Sequence, residues 1–107
     1  MKRGDVVTVA LQSDLGKPRP ALVIQSDLCG AHPSVTILPV TSDVRALSLF
    51  RITVEPTLEN GLNKSSQVMV DKPQSVGRDK VNAVVGHLDD AAMLAVNRAL
   101  AVFLGLA

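Results

Sequence analysis

The stretch that decides the fold is Lys17-Pro18-Arg19-Pro20-Ala21-Leu22-Val23-Ile24. The two prolines fix their own φ at about −65° and push the residues before them toward extended geometry, so Arg19 cannot lie inside a helix. The four apolar residues that follow are typical of a buried strand. The sequence therefore predicts a stiff basic turn at residues 17–20 that holds the Arg19 guanidinium at the mouth of a core strand, where it suits a phosphate or a carboxylate.

Outward from this strand, apolar and β-branched runs predict a series of short strands separated by polar turns. The predicted strands are residues 6–11, 21–26, 35–40, 50–54 and 67–71, with polar connections at residues 12–19, 29–33 and 56–64. Pro39 falls near the end of the third strand, where a missing backbone donor is tolerated. Residues 79–88 fit either a short helical turn or a short strand.

The C-terminal segment has helical periodicity. Its apolar residues recur at the spacing of one helix face, with Asp89 as the predicted N-cap and Gly105 as the predicted end. Five strands followed by a terminal helix indicate an α+β fold, a small and strongly curved antiparallel sheet capped by that helix. The length of 107 residues predicts one domain spanning residues 1–107.

Composition excludes several classes of protein. The chain is 47% hydrophobic with a formal net charge of +1, which argues against disorder and against a globally basic nucleic-acid binder. With no Trp, no Tyr and two Phe, a surface that stacks bases on aromatic rings is disfavoured. The single cysteine, Cys29, and the absence of a signal-peptide core or a membrane-length apolar segment predict a cytoplasmic protein. No sequence motif for a metal or a nucleotide cofactor occurs, so none is expected.

The order of several short motifs resembles the MazF/PemK family, the endoribonuclease toxins of bacterial toxin–antitoxin pairs. Each motif is weak alone, but they follow one another in the family's order along nearly the whole chain. They are Arg3-Gly4-Asp5-Val6-Val7, Arg19-Pro20-Ala21-Leu22-Val23-Ile24, Pro39-Val40-Thr41-Ser42, Gly61-Leu62, Val70-Asp71-Lys72-Pro73 and Val85-Gly86-His87-Leu88. The resemblance implies an SH3-like barrel of the CcdB/PemK type with a C-terminal α-helix.

The resemblance also implies a function and a set of site residues. It implies cleavage of single-stranded RNA without a metal, with Arg19 and Thr41 as the catalytic pair. By the same matching, the expected RNA contacts are Lys17, Ser42, Asp71 and Gln74. The chain departs from many family members in its short connection before Arg19. Gln74 stands where many members carry an arginine, and Met69 stands where some carry another.

Other interpretations of these residues remain open from the sequence. Arg19 could be a surface arginine in a proline turn, and Thr41-Ser42-Asp43 an ordinary strand-ending turn. The two histidines, His32 and His87, could form an acid–base pair, although no pattern links them.

The resemblance leaves two other functions open and implies two partners. The other functions are a non-enzymatic CcdB-like poison of DNA gyrase and an inactive member that only binds antitoxin. The implied partners are a second copy of the chain in a homodimer and an antitoxin whose acidic C-terminal tail competes with RNA.

Overall fold

The computed structural model describes residues 1–11, 15–46 and 48–107, and within them seven strands precede one α-helix. The elements are β1 Asp5–Ala10, β2 Pro18–Val23, β3 Ser34–Thr41, β4 Arg51–Val54, β5 Ser66–Met69, β6 Gln74–Gly77, β7 Val81–His87 and α1 Asp90–Phe103. Every strand pairing is antiparallel, in the order β4-β5-β3-β2-β1-β7, and β6 also pairs with β3. Part of the connection predicted at residues 12–19 lies outside the described residues.

The three central strands are buried on both faces, which explains their unbroken apolar runs. Alternate residues of β1, β2 and β3 belong to two separate apolar clusters. The first cluster lies under α1 and includes Val6, Leu22, Leu38, Val96 and Ala99. The second, on the other face, includes Val7, Val9, Ala21, Val23, Val35, Ile37 and Val76. Because neighbouring side chains point to opposite faces, each apolar run supplies both clusters at once.

The sheet curves strongly but does not close into a barrel. On one side of β3, Ser34–Ile37 pair with β6, whereas Val40 and Thr41 pair with β5. Two register shifts interrupt the pairing of β1 with β7, and such irregularities increase local twist and bending. In the described part of the chain the edge strands β4 and β7 do not pair with each other. The predicted strongly curved antiparallel sheet with a C-terminal helix is therefore confirmed, in an open form.

Helix α1 begins and ends where the sequence predicts. The Asp89 carboxylate accepts a hydrogen bond from the Ala92 N–H at 2.7 Å, and Gly105 has a φ of +75° just beyond the helix. The two phenylalanines connect the end of this helix to the residue before β4, since the rings of Phe50 and Phe103 contact edge to face with centroids 5.2 Å apart. No helix in the described residues is long and apolar enough to cross a bilayer.

The prediction of five strands was wrong by two, and the prediction of a turn at residues 17–20 was also wrong. β2 begins at Pro18, so Arg19 lies within a strand and pairs with Val9. β6 was missed because only Val76 of its four residues is buried, and β7 was ambiguous because most of its residues are exposed. Neither strand has the alternation of buried and exposed residues that marks a strand in sequence.

The loop between β4 and β5 is held against β7 by two glycines. A Cβ at Gly86 would collide with the backbone of Glu59 and Asn60, and a Cβ at Gly61 would collide with the backbone oxygen of Val85. The His87 N–H donates to the Glu59 carbonyl at 2.8 Å across the same contact. This close approach fixes where the loop stands relative to the sheet.

We expect Gly86→Ala to lower the free energy of unfolding by about 1–3 kcal/mol, because backbone atoms must move to admit the methyl group. Gly30→Ala is the matched control, since Gly30 has an ordinary helical φ of −61° and its Cβ would meet only the Asp27 carbonyl at 3.4 Å. Urea unfolding of the three proteins measures the difference. Equal stability of the two variants would contradict the close contact.

Candidate active site

A groove with a volume of about 570 Å³ lies at one end of β2 and β3. Its walls come from β1, β2 and β3 with the residues that follow β1 and β3, from the loop between β4 and β5, and from two residues of β5 and one of β7. The described residues that line it are Thr8, Leu11, Arg19, Pro20, Pro39, Val40, Thr41, Ser42, Gly61, Leu62, Asn63, Lys64, Ser66, Met69 and Val85.

Prolines explain why the sheet opens at this end. The Ile24 N–H donates to the Thr36 carbonyl at 3.1 Å, and antiparallel alternation then turns the backbone nitrogens of Pro20 and Pro18 toward β3 as well. Neither nitrogen carries a hydrogen to donate. The described ladder between the two strands accordingly ends at the Ala21–Pro39 pair.

Pro39 causes no such loss on the other side of β3. The same alternation turns its nitrogen away from β2, toward the gap between the last residue paired with β6, Ile37, and the first paired with β5, Val40. The missing donor therefore falls where no ladder partner stands. This agrees with the prediction that a proline is tolerated at this place.

The register of β2 and β3, continued by two residues, places Arg19 across from Thr41, and both residues line the groove. Ala21 faces Pro39 at the end of the ladder, so two residues further along Arg19 stands opposite Thr41 on the same face of the sheet. Arg19 is exposed and Thr41 is half-buried. The structure thus places together two residues that lie 22 positions apart in the chain.

The Thr41 hydroxyl is oriented by the turn that follows it. The Asp43 N–H donates to Thr41 Oγ1 at 3.0 Å, which occupies an acceptor site of the oxygen and leaves its hydrogen available to donate. Ser42 is exposed and lines the same groove. A permanent cation facing a hydroxyl donor is an arrangement suited to binding and stabilising a phosphoryl group.

The other residues named from the sequence lie outside the lining of this groove. Lys17 is exposed just before β2, Asp71 lies in the turn after β5, and Gln74 begins β6 opposite Ile37. Their contacts with RNA stay predictions. His32 bonds to Ser34 near the start of β3 and His87 ends β7, and neither histidine lines the groove.

Sequence reasoning missed the loop that forms the opposite wall. Leu62, Asn63 and Lys64 line the groove, although the sequence indicated only a polar loop with a turn at Asn60-Gly61. Lys64 and Arg19 are the only charged side chains among the described lining residues, and none of those residues is acidic. The described lining is therefore cationic, although the chain as a whole has a formal net charge of only +1.

Gln67, which is 3% exposed, holds the turn that carries Thr41 and Ser42. Its amide oxygen accepts from the Arg45 N–H at 3.1 Å, and its amide nitrogen donates to the Arg45 carbonyl at 3.1 Å. The Arg51 guanidinium adds a hydrogen bond of 3.2 Å to the Asp43 carbonyl and one of 3.4 Å to Gln67 Oε1. The Gln67 side chain thus makes the two backbone hydrogen bonds that a neighbouring strand would otherwise make. Periodicity in the sequence does not reveal this role.

The family is decided by comparison with known proteins. The model of the PemK-like, MazF-like toxins of type II toxin–antitoxin systems matches residues 2–104. The chain belongs to this toxin family. Among curated proteins it is 44% identical to the probable endoribonuclease MazF of Mycolicibacterium smegmatis, over 100% of this chain and 99% of that protein. It is 27% identical to endoribonuclease EndoA of Bacillus subtilis, over 99% and 96% of the two chains.

Solved structures agree on the fold. A mycobacterial endoribonuclease, determined in complex with its cognate antitoxin, superimposes with a TM-score of 0.85. The two chains are 24% identical, and the match covers 100% of this chain and 97% of that one. The resemblance inferred from six short motifs is therefore confirmed for the family and for the fold.

We expect Gln67→Met to loosen the turn at residues 41–45, because the Arg45 N–H and carbonyl lose their partner. The loss of these bonds should lower the free energy of unfolding by about 1–3 kcal/mol and speed amide hydrogen exchange at Arg45. The matched control is Gln25→Met, since the Gln25 amide bonds in the same way to the backbone of Thr36 and Ser34 at the other end of β3. Unchanged exchange at Arg45 in Gln67→Met would refute the role of this amide.

Proposed function

We propose that this protein is the toxin of a type II toxin–antitoxin pair and acts as a metal-independent, sequence-selective endoribonuclease on single-stranded RNA. The observation that carries the proposal is that Arg19 and Thr41 line one groove, at positions that the register of β2 and β3 places across from each other, in a chain of the MazF-like toxin family. The names of the curated relatives, both endoribonucleases, support the same activity. In this proposal residues 1–107 form one toxin domain that acts in the cytoplasm.

Cleavage without a metal uses the ribose 2′-hydroxyl of the substrate as the nucleophile. The 2′-oxygen loses its proton and bonds to phosphorus, while the bond from phosphorus to the 5′-oxygen breaks and that oxygen takes up a proton. The products are a 2′,3′-cyclic phosphate and a 5′-hydroxyl end. Negative charge grows on the phosphoryl oxygens during the step, so fixed donors that face them lower the barrier.

The two groove residues suit complementary parts of this step. Arginine stays protonated at neutral pH, so Arg19 serves as a charge stabiliser rather than as a base. Thr41, whose oxygen already accepts from the Asp43 N–H, can donate its hydrogen to a phosphoryl oxygen. Ser42 offers a second hydroxyl beside it. Lys17, Asp71 and Gln74 are proposed as contacts with nucleotides further along the strand.

Two protein partners belong to the proposal. A cationic groove that binds the phosphates of RNA would also bind the carboxylates of an acidic antitoxin tail. Apolar side chains that remain exposed on α1 and after it, such as Leu94, Val102 and Leu104, favour association with a second copy of the chain.

We expect the purified protein to cut a mixed-sequence RNA in the presence of EDTA and to leave cyclic phosphate and 5′-hydroxyl ends. Arg19→Ala and Thr41→Val should each lower the cleavage rate by about 10²–10³-fold, the loss typical of one oxyanion donor. Lys2→Ala is the control, because Lys2 is exposed, does not line the groove and lies outside α1. Intact RNA, or full cleavage by Arg19→Ala, would overturn the proposal.

The competing partners lead to a second expected result. A peptide with the acidic C-terminal sequence of the cognate antitoxin should, at saturation, displace a fluorescent single-stranded RNA from the protein. Fluorescence anisotropy measures the displacement. Simultaneous binding of peptide and RNA would show that their sites are separate.

A further inference from the structure

We propose that Lys64 is a second phosphate-binding residue of this groove, which contacts an RNA phosphate other than the one held by Arg19. The inference rests on the proposed function and adds a residue that neither the motifs nor the family match indicated. Its basis is the position of Lys64 in the groove wall, the charges around it and the rigidity of its loop.

In the described part of the chain, Lys64 forms no salt bridge. Among the lining residues that the structure describes, it is the one cation besides Arg19, and no carboxylate is present. Within the described residues, no carboxylate oxygen lies within 4 Å of the Lys64 ammonium. The carboxylate of Glu55, in the same loop, accepts a hydrogen bond from the Ser65 hydroxyl at 2.8 Å. A phosphate at this wall would therefore meet a cation without displacing an ion pair.

The loop beneath Lys64 is anchored by a buried asparagine. Asn60 is 3% exposed, and its amide oxygen accepts from the backbone N–H groups of Thr57 and Leu62, each at 3.0 Å. Its amide nitrogen donates to the Glu55 carbonyl at 2.9 Å. These bonds tie both halves of the loop to one side chain that solvent barely reaches.

The backbone of Lys64 itself is also fixed. The Ser66 hydroxyl donates to the Lys64 carbonyl at 2.8 Å, and Ser66 is the first residue of β5. Since residues 59–61, in the middle of the loop, lie in close contact with Val85 and Gly86 of β7, the Cα of Lys64 has a defined place on the wall. Only the four-carbon side chain remains free to follow a phosphate.

The chemistry of lysine determines what this contact contributes. An ammonium group is a hydrated point charge without the planar fork of a guanidinium, so it attracts a phosphate without fixing its orientation. Lys64 should therefore strengthen RNA binding and leave the chemical step to Arg19 and Thr41. Its contribution should also depend on salt, because a cation that neutralises one phosphate of a single strand contributes about 0.7 to the slope of log Kd against log salt.

The test compares binding and cleavage by Lys64→Gln, Lys64→Arg and the wild-type protein. Binding is measured by anisotropy from about 50 to 300 mM salt, with a fluorescein-labelled, mixed-sequence 2′-O-methyl RNA that cannot be cut. We expect Lys64→Gln to lower the slope by about 0.7 and weaken binding about fivefold at 0.1 M salt. Single-turnover cleavage at saturating protein should stay within about twofold of wild type, and Lys64→Arg should restore the slope.

Lys2→Gln is the matched control for loss of one positive charge. Lys2 is exposed and lines a small pocket together with Val35, near the end of β3 that is opposite to Thr41. If Lys64→Gln and Lys2→Gln have the slope of the wild type while all three proteins cut RNA, Lys64 has no phosphate contact and the proposed function stands. If the wild-type protein neither binds nor cuts RNA, the proposed function fails together with this inference.

Discussion

The candidate active site depends on the early end of one hydrogen-bond ladder. β2 and β3 are core strands, yet Pro18 and Pro20 present nitrogens without hydrogens to the side where β3 lies. The two strands stop pairing at Ala21 and Pro39, and the groove occupies the space beyond. The same register that ends there brings Arg19 opposite Thr41. In an ordinary sheet, two such prolines would only weaken the pairing. Here they open a groove at the end of two core strands, where a polyanion can bind.

Beyond the end of the ladder, hydrogen bonds from buried side-chain amides to the backbone hold the walls of the groove. Gln67 bonds to the backbone of the turn after Thr41, and Asn60 bonds to the backbone of the opposite loop. Such amides are costly to bury without partners, but in the described part of the chain every buried side-chain nitrogen or oxygen has one. The groove therefore has walls of irregular backbone that are nevertheless held in place.

Much of this architecture was accessible from the sequence because it follows local rules. The runs in β1, β2 and β3 were identified because strands buried on both faces are continuously apolar, and α1 because its period and its cap at Asp89 agree. β6 was missed because only Val76 of its four residues is buried. Its place in the sheet comes from pairing with β3, which lies about forty residues earlier, and sequence periodicity does not report such a partner.

The sequence by itself determined the family, the curved sheet with its terminal helix, and the candidate pair Arg19 and Thr41, because ordered motifs and apolar periods are local properties of the chain. The tertiary structure alone decided which residues share the groove. It brought in Lys64 and gave Gln67 its role, and it left Lys17, Asp71 and Gln74 outside the lining. The physical reason is that a groove wall is made by strand register and by close backbone contacts, such as that of Gly86 with Asn60, between segments that are distant in the chain.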